Sequence, residues 1–331
     1  MKNELPGVRL SEHGGQEENM LILQQMLVLF VIMLAGLFAE KKGVLDEDTC
    51  KKISWIVVNI ANPAMILASV SGESRIQPEE LAVTLLIAFS MFGCLMGLAA
   101  VLPVLLRVDR SQYGVYRVMT VFSNIGFMGF PILSALYGKE SLLYAALFVL
   151  IYNVLIYTYG ILCLSRDSKE RKNSTWDSLK QIGNVGVLAS LGALILYFGN
   201  ISLPDMLSRI FDMFANLTAP LSMMVIGASF GQMSFRDTAS DRRLLIFSAV
   251  KLLAVPVAGM WVISRFVANP VLLGVCLVML ATPVGSMTAM LAKQYDCDSE
   301  LASGGVALTT LLSVAAIPAV AAVCRMMGMA V

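Results

Sequence analysis

Histidine is nearly absent from this chain: one, His13, among 331 residues. It lies in a polar N-terminal stretch, so no His-based metal cluster is indicated and no Ser–His arrangement falls within the apolar runs. Charge is scarce too. Asp, Glu, Lys and Arg make up 14% of the residues, against about 25% in soluble domains. The net charge of +1 gives no global field for a nucleic-acid partner. The six cysteines (Cys50, Cys94, Cys163, Cys276, Cys297 and Cys324) form no CxxC pair, so neither a zinc knuckle nor a disulfide framework is indicated. No GxxxxGK[ST] loop for ATP occurs. No Asp or Glu falls in the middle of an apolar run, and no carboxylate pair suggests acid–base chemistry there. Together these absences argue against an enzyme, a primary pump and any cofactor.

Apolar residues are what the chain has in abundance. They make up 57% of it, and mean hydropathy is +0.76. A membrane helix needs about 20 mostly apolar residues. Such runs occur ten times, near 20–39, 53–70, 81–106, 116–137, 141–165, 182–199, 206–230, 244–264, 271–292 and 301–324. The expected fold is an all-α polytopic membrane protein of ten transmembrane helices. Residues 1–19 read as a polar tail without signal-peptide architecture. Residues 20–165 and 182–331 form two five-helix halves, joined by a polar loop at 166–181. With ten spans, sixteen Lys and Arg fall on one side and seven on the other, with Lys251 inside a span. The excess of positive charge predicts a cytoplasmic 166–181 loop and extracytoplasmic termini in the cell membrane.

The halves resemble each other. NIANPAMILASV (59–70) matches NLTAPLSMMVIG (216–227), pairing Asn59 with Asn216 and Pro63 with Pro220. Tyr137 and Ser141 match Tyr295 and Ser299 at nearly the same offset. Five helices per copy is an odd number, so the copies have opposite topology, the inverted repeat of many secondary transporters. In such folds, interrupted spans in corresponding positions mark the substrate site. The fourth span carries FSNIGFMGFP (122–131) and the ninth LATPVGSMTAM (280–290). Glycine and proline weaken the helix ladder at both. Half-helices starting there would present N–H groups and positive dipole ends to an anion. Asn124, Thr282 and Ser286 would add side-chain hydrogen bonds. Simple kinks with locally satisfied polar groups are the alternative.

Asn153 and Tyr157 lie four apart on the fifth span, so they share a face. They read equally as cavity lining or as helix–helix glue. Asn62, Pro63 and Pro220 mark expected helix breaks. Lys251 is the one ionisable side chain well inside a span, either an anion attractant or a chain that snorkels to the surface. Arg209 and Asp212 read as an interfacial ion pair.

NIANPAMIL, SNIGFMGFPILSALYG and ATPVGSMTAMLAKQYDCDSELASGGVALTTLLSVAAIP resemble the auxin efflux carrier family, which includes bacterial malate and malonate permeases and plant PIN-formed auxin exporters. The resemblance implies a 5+5 inverted repeat with crossed, broken helices four and nine. It also implies transport of organic anions, usually carboxylates, by an elevator-like movement. Carried over by position, the crossing involves Ser123, Asn124, Thr282, Pro283 and Gly285, with Asn153 and Tyr157 beside it; the interrupted spans themselves add Gly126 and Ser286 to the candidate site. Two features depart from the plant exporters: Ser123 stands where they have proline, and the 166–181 loop is short. Both favour a compact permease. The expected function is a secondary transporter for a small carboxylate. A non-transporting receptor or scaffold and a cation/proton antiporter are the alternatives. Expected partners are the anion, the lipid bilayer and, as one option, a second copy in a homodimer, with no nucleic acid, metal or cofactor.

Overall fold

A computed structural model describes residues 12–69, 78–167, 185–199, 201, 203–231 and 241–329. The helical segments are α1 Glu12–Lys41, α2 (47–68), α3 Pro78–Leu105, α4 Tyr113–Val121, α5 Ile125–Tyr137 and α6 Glu140–Arg166 in the first part of the chain. The second part holds α7 Val185–Phe198, α8 Asp205–Gly231, α9 Arg242–Ile263, α10 Pro270–Ala281, α11 Ser286–Gln294 and α12 Ser299–Met326. No strand occurs among the described residues apart from one isolated bridge. Among the described residues, six helices are long and apolar enough to cross a membrane: α1 from Leu23, α3 from Glu79, α6, α8, α9 and α12. The fourth and ninth apolar runs are each divided, into α4 with α5 and α10 with α11. α1 opens at Glu12, inside the segment read as tail, while most of the 166–181 loop lies outside the described residues.

Four π-helical turns widen these helices: Val57–Ala61 in α2, Ile125–Gly129 in α5, Ile156–Gly160 in α6 and Val250–Ala254 in α9. Three of them end two residues before a proline, namely Pro63, Pro131 and Pro256. A helical proline donates no hydrogen bond and crowds the carbonyl four residues back. A wider turn relieves that crowding and frees the carbonyl. Pro131 opposes Phe127, whose oxygen accepts from Ser222 Oγ of α8 at 2.8 Å. Pro103 and Pro318 lie inside α3 and α12 without such widening, so proline alone does not dictate it. At Asn62 and Pro63 the helix widens rather than breaks, with helical dihedrals at Asn62. Near Pro220, α8 is interrupted by a turn at Asn216 and Leu217.

Between helices in lipid, apolar contact releases little water, so close approach and hydrogen bonds fix the packing. α1 lies along α8 in backbone contact: a Cβ on Gly36 would strike the Met224 carbonyl, and one on Gly227 the Met33 carbonyl. A polar clasp joins the first turns of α3 and α6 to the N-cap of α10. Tyr144 Oη donates to Glu80 Oε2 at 2.6 Å, and Asn269 Nδ2 donates to Glu80 Oε1 at 3.1 Å. Asn269 Oδ1 meanwhile caps α10, accepting from the Val271 and Leu272 N–H groups. Asp212 pairs with Lys139 Nζ at 2.6 Å, a partner across the fold in place of the local Arg209 expected.

Candidate functional site

The two divided runs meet at their breaks. α4 ends at Val121, and Phe122 turns extended (φ −102°, ψ 104°). α10 ends at Ala281, with Thr282 extended (φ −64°, ψ 146°) and Gly285 likewise (φ −69°, ψ 135°). Ser123 and Val284 form an antiparallel bridge. The Asn124 N–H donates to the Pro283 carbonyl at 2.7 Å, and the Gly285 N–H to the Phe122 carbonyl at 2.9 Å. In an unbroken helix those N–H groups would serve Thr120 and Ala281, four residues back. Each break therefore supplies the other's hydrogen bonds and leaves the preceding helix end with unspent carbonyls. α12 closes the arrangement from below: Thr309 Oγ1 accepts from the Val284 N–H at 3.1 Å and donates to the Gly305 carbonyl at 2.6 Å.

Of the residues nominated from sequence, Ser123, Asn124, Thr282, Pro283 and Gly285 lie within this pairing. Ser123, Asn124 and Thr282 are buried. Gly126 and Ser286 stand half-buried in the first turns of α5 and α11. Asn124 Oδ1 accepts from the Phe127 N–H at 3.4 Å, while its buried Nδ2 has no protein partner. The Thr282 hydroxyl turns back to Met279 O at 3.5 Å. Asn62 joins from α2, where a Cβ on Gly126 would lie 3.0 Å from its Nδ2. Its Oδ1 is buried and unpartnered, as is Thr288 Oγ1 in the first turn of α11. Pro63 and Pro220 shape α2 and α8 rather than the breaks themselves. Buried polar atoms without partners call for an explanation, a bound water or ligand among them; Arg117 Nε and Thr218 Oγ1 are two more.

Asn153 turns its amide to Val149 O on its own helix at 2.9 Å, and Tyr157 stands half-buried one turn later. The α6 residue brought against the pairing is Tyr152. Its ring meets Phe122 edge-to-face at 5.3 Å, and its Oη is 3.2 Å from where a Cβ on Gly285 would sit. Tyr152 and Thr309 escaped the sequence reading. Tyr152 adjoins the nominated Asn153, about 100° round the helix, and Thr309 carries no signal in one sequence.

Lys251 completes the site from α9. It is 1% exposed, so it does not snorkel. Its Nζ donates to Thr120 O at 2.9 Å and to Ser123 Oγ at 2.8 Å. Thr120 O is the carbonyl that Asn124 abandons in pairing with Pro283. None of the ion pairs among the described residues includes Lys251. No group of His, Cys, Asp and Glu that could hold a metal occurs among them either. The site therefore offers donors: the Lys251 amine, an amide and the first-turn N–H groups of two helices.

A family model described as membrane transport protein matches residues 21–320. An uncharacterized transporter of Methanocaldococcus jannaschii is 23% identical over 305 residues, 89% of this chain and 96% of its own. One of Methanothermobacter thermautotrophicus is 23% identical over 301 residues, again 89% and 96%. The uncharacterized transporter YfdV of Escherichia coli K12 is 22% identical over 300 residues, 86% of this chain and 92% of its own. Paired breaks in apolar helices, motifs along the whole chain and a match over nearly all of it agree: this chain belongs to the membrane transport proteins of the auxin efflux carrier family.

Proposed function

We propose that this protein carries a small organic anion, a mono- or dicarboxylate, across the cell membrane, and that the paired breaks are its binding site. The observation that carries this reading is Lys251. Lys251 Nζ is held by a carbonyl and a hydroxyl and has no acidic counterpart among the described residues, so a bound carboxylate would supply the missing partner. A carboxylate about 4 Å away would gain about 4 kcal/mol at an effective dielectric constant of 20. The free Asn124 amide and the first turns of α5 and α11 supply the directional donors. Gly126 and Ser286 lie in those turns, and Tyr152 shapes the wall.

The matching breaks at 122–124 and 282–285 support ten spans in a 5+5 inverted repeat, with the divided fourth and ninth runs crossing between extracytoplasmic termini. The burial of Ser123, Asn124 and Thr282 means that solute must be exposed by moving helices. Such repeats give alternating access by moving one bundle against the other, and an elevator-like slide is the form proposed here.

The test is uptake by proteoliposomes of labelled malonate, malate, succinate, lactate and indole-3-acetate, under imposed voltage. Saturable flux of one member is expected, and Asn124→Ala should abolish it while leaving expression and folding intact. Wild-type flux in that variant would remove the breaks as the site. Saturable binding without flux would make the protein a receptor.

A further inference from the structure

We propose that Lys251 is a built-in cation: its ammonium fills a monovalent-cation site at the end of α4, so the broken helices are assembled and charged without sodium. The proposal deepens the anion-carrier reading and rests on it for its transport arm.

The argument is one of ligands and valence. Transporters with interrupted helices hold sodium on unwound carbonyls and on the C-terminal ends of half-helices. The end of α4 is such a place. Its Thr120 carbonyl has lost its helical donor, because the Asn124 N–H is committed to Pro283. Ser123 Oγ stands beside it as a second hard oxygen. Both oxygens are directed at one atom, Lys251 Nζ, at 2.9 and 2.8 Å. That atom arrives from another helix, and the π turn Val250–Ala254 contains its residue. It is 1% exposed, so bulk cations do not compete with it. An ammonium has three donors. Two are spent on Thr120 and Ser123, and the third is left for the anion. A soluble cation at this place would have to be bound again in each cycle. A tethered one is always present, so the two halves of the site stay joined.

The experiment compares sodium chloride with choline chloride at equal ionic strength, for wild type, Lys251→Ala and Lys251→Met. The alanine variant opens the space around the two oxygens, whereas the methionine variant fills it without charge. Thermal unfolding of the purified full-length proteins in detergent needs no substrate. The wild type should unfold at the same temperature in both salts. Lys251→Ala should unfold earlier and be restored more by sodium or methylammonium than by choline. Lys251→Met should unfold earlier and respond to neither cation. In proteoliposomes, wild-type anion flux should be indifferent to a sodium gradient. Lys251→Ala flux should be lower in choline than in sodium or methylammonium by on the order of tenfold, a usual coupling between two bound groups.

Sodium-specific stabilisation of the wild type, or sodium-driven flux through it, overturns the proposal, and so does an alanine variant no more cation-responsive than the methionine one. If neither variant folds, the wild-type comparison still decides. Absence of any anion flux in the wild type would overturn the anion-carrier reading and leave the unfolding comparison intact.

Discussion

Replacing Gly285 with alanine probes the joint between the two breaks with a single methyl group. The backbone there (φ −69°, ψ 135°) suits any residue, so only space is at stake. The new Cβ would lie 3.0 Å from the Ser123 carbonyl oxygen, 3.3 Å from the Phe122 carbonyl oxygen and 3.2 Å from Tyr152 Oη. Two of the three neighbours are backbone atoms, which no rotamer change moves away. Ordinary contact begins at 3.4 Å, so the strands must part by about 0.4 Å, a large displacement for a close-packed interior. Resisting it are the hydrogen bonds of 2.7 Å from Asn124 to Pro283 and 2.9 Å from Gly285 to Phe122. Each contributes about 0.5–1.5 kcal/mol net, and overpacking of a tight site typically costs about 1–3 kcal/mol. We expect Gly285→Ala to lose about 1–3 kcal/mol and to lose anion uptake out of proportion to that. Gly93 and Gly97 in α3 are the controls, since a Cβ at either meets nothing within 4 Å. Alanine there should be neutral or stabilising by up to about 1 kcal/mol through helix propensity. Unfolding of the three variants in one detergent, beside uptake by each, checks the contrast. A Gly285→Ala protein as stable as Gly93→Ala would mean that the breaks are not in backbone contact.

Ser222→Ala should destabilise by about 1–3 kcal/mol, because it orphans the buried Phe127 carbonyl. In a Pro131→Ala background the helix regains an N–H for that carbonyl, so the same change should cost much less, and a double-mutant cycle reads the coupling. At the clasp, Glu80→Ala should cost more than Tyr144→Phe: it leaves the Tyr144 hydroxyl without its acceptor and Asn269 Nδ2 with Tyr144 Oη alone, whereas Tyr144→Phe leaves Asn269 still bonded to Glu80; chemical unfolding of each ranks them. Asp46 caps α2 through the Thr49 N–H at 2.8 Å, and that bonding holds its carboxyl below the usual value of 3.8. Because the folded value is depressed, its stabilisation is complete above the unfolded value and is lost as pH falls from 3.8 through the folded one. An Asp46→Asn protein keeps a capping oxygen, so the difference in unfolding temperature between it and the wild type should shrink as pH is lowered through that window.

The breaks were legible because glycine and proline interrupt otherwise apolar runs at matched offsets in both halves. Asn124, Thr282, Pro283 and Gly285 follow from that pattern, and Ser123 from the family resemblance. What the breaks do to each other was not legible. The pairing of Asn124 with Pro283 and of Gly285 with Phe122 runs through backbone, on which side-chain identity has little to say. Lys251 could be picked out as an anomaly, but its target depends on where α9 lies, and equal distances along a chain carry no such information. Asn153 illustrates the opposite failure. Its amide looked costly in a membrane until the structure returned it to Val149 of its own helix, a local solution that sequence always permits. The π turns occupy a middle ground, since Pro63, Pro131 and Pro256 announce three of them, yet Pro103 and Pro318 carry the same announcement without effect.

Leu244, Ser248, Leu252, Pro256 and Met260 are all buried along α9, at a strict spacing of four. A regular α-helix advances about 100° per residue, so five such positions would drift about 160° around the axis. The extra residue accommodated by the turn at Val250–Ala254 takes up part of that drift, so α9 keeps one phase relative to its neighbours before and after it. Taking out a single exposed residue of that turn, such as Leu253, would let it close to an ordinary α turn, and Pro256 and Met260 would keep their places in the core. The same deletion one turn away, in regular helix, has no slack to absorb it and would rotate the half that follows by roughly 100°.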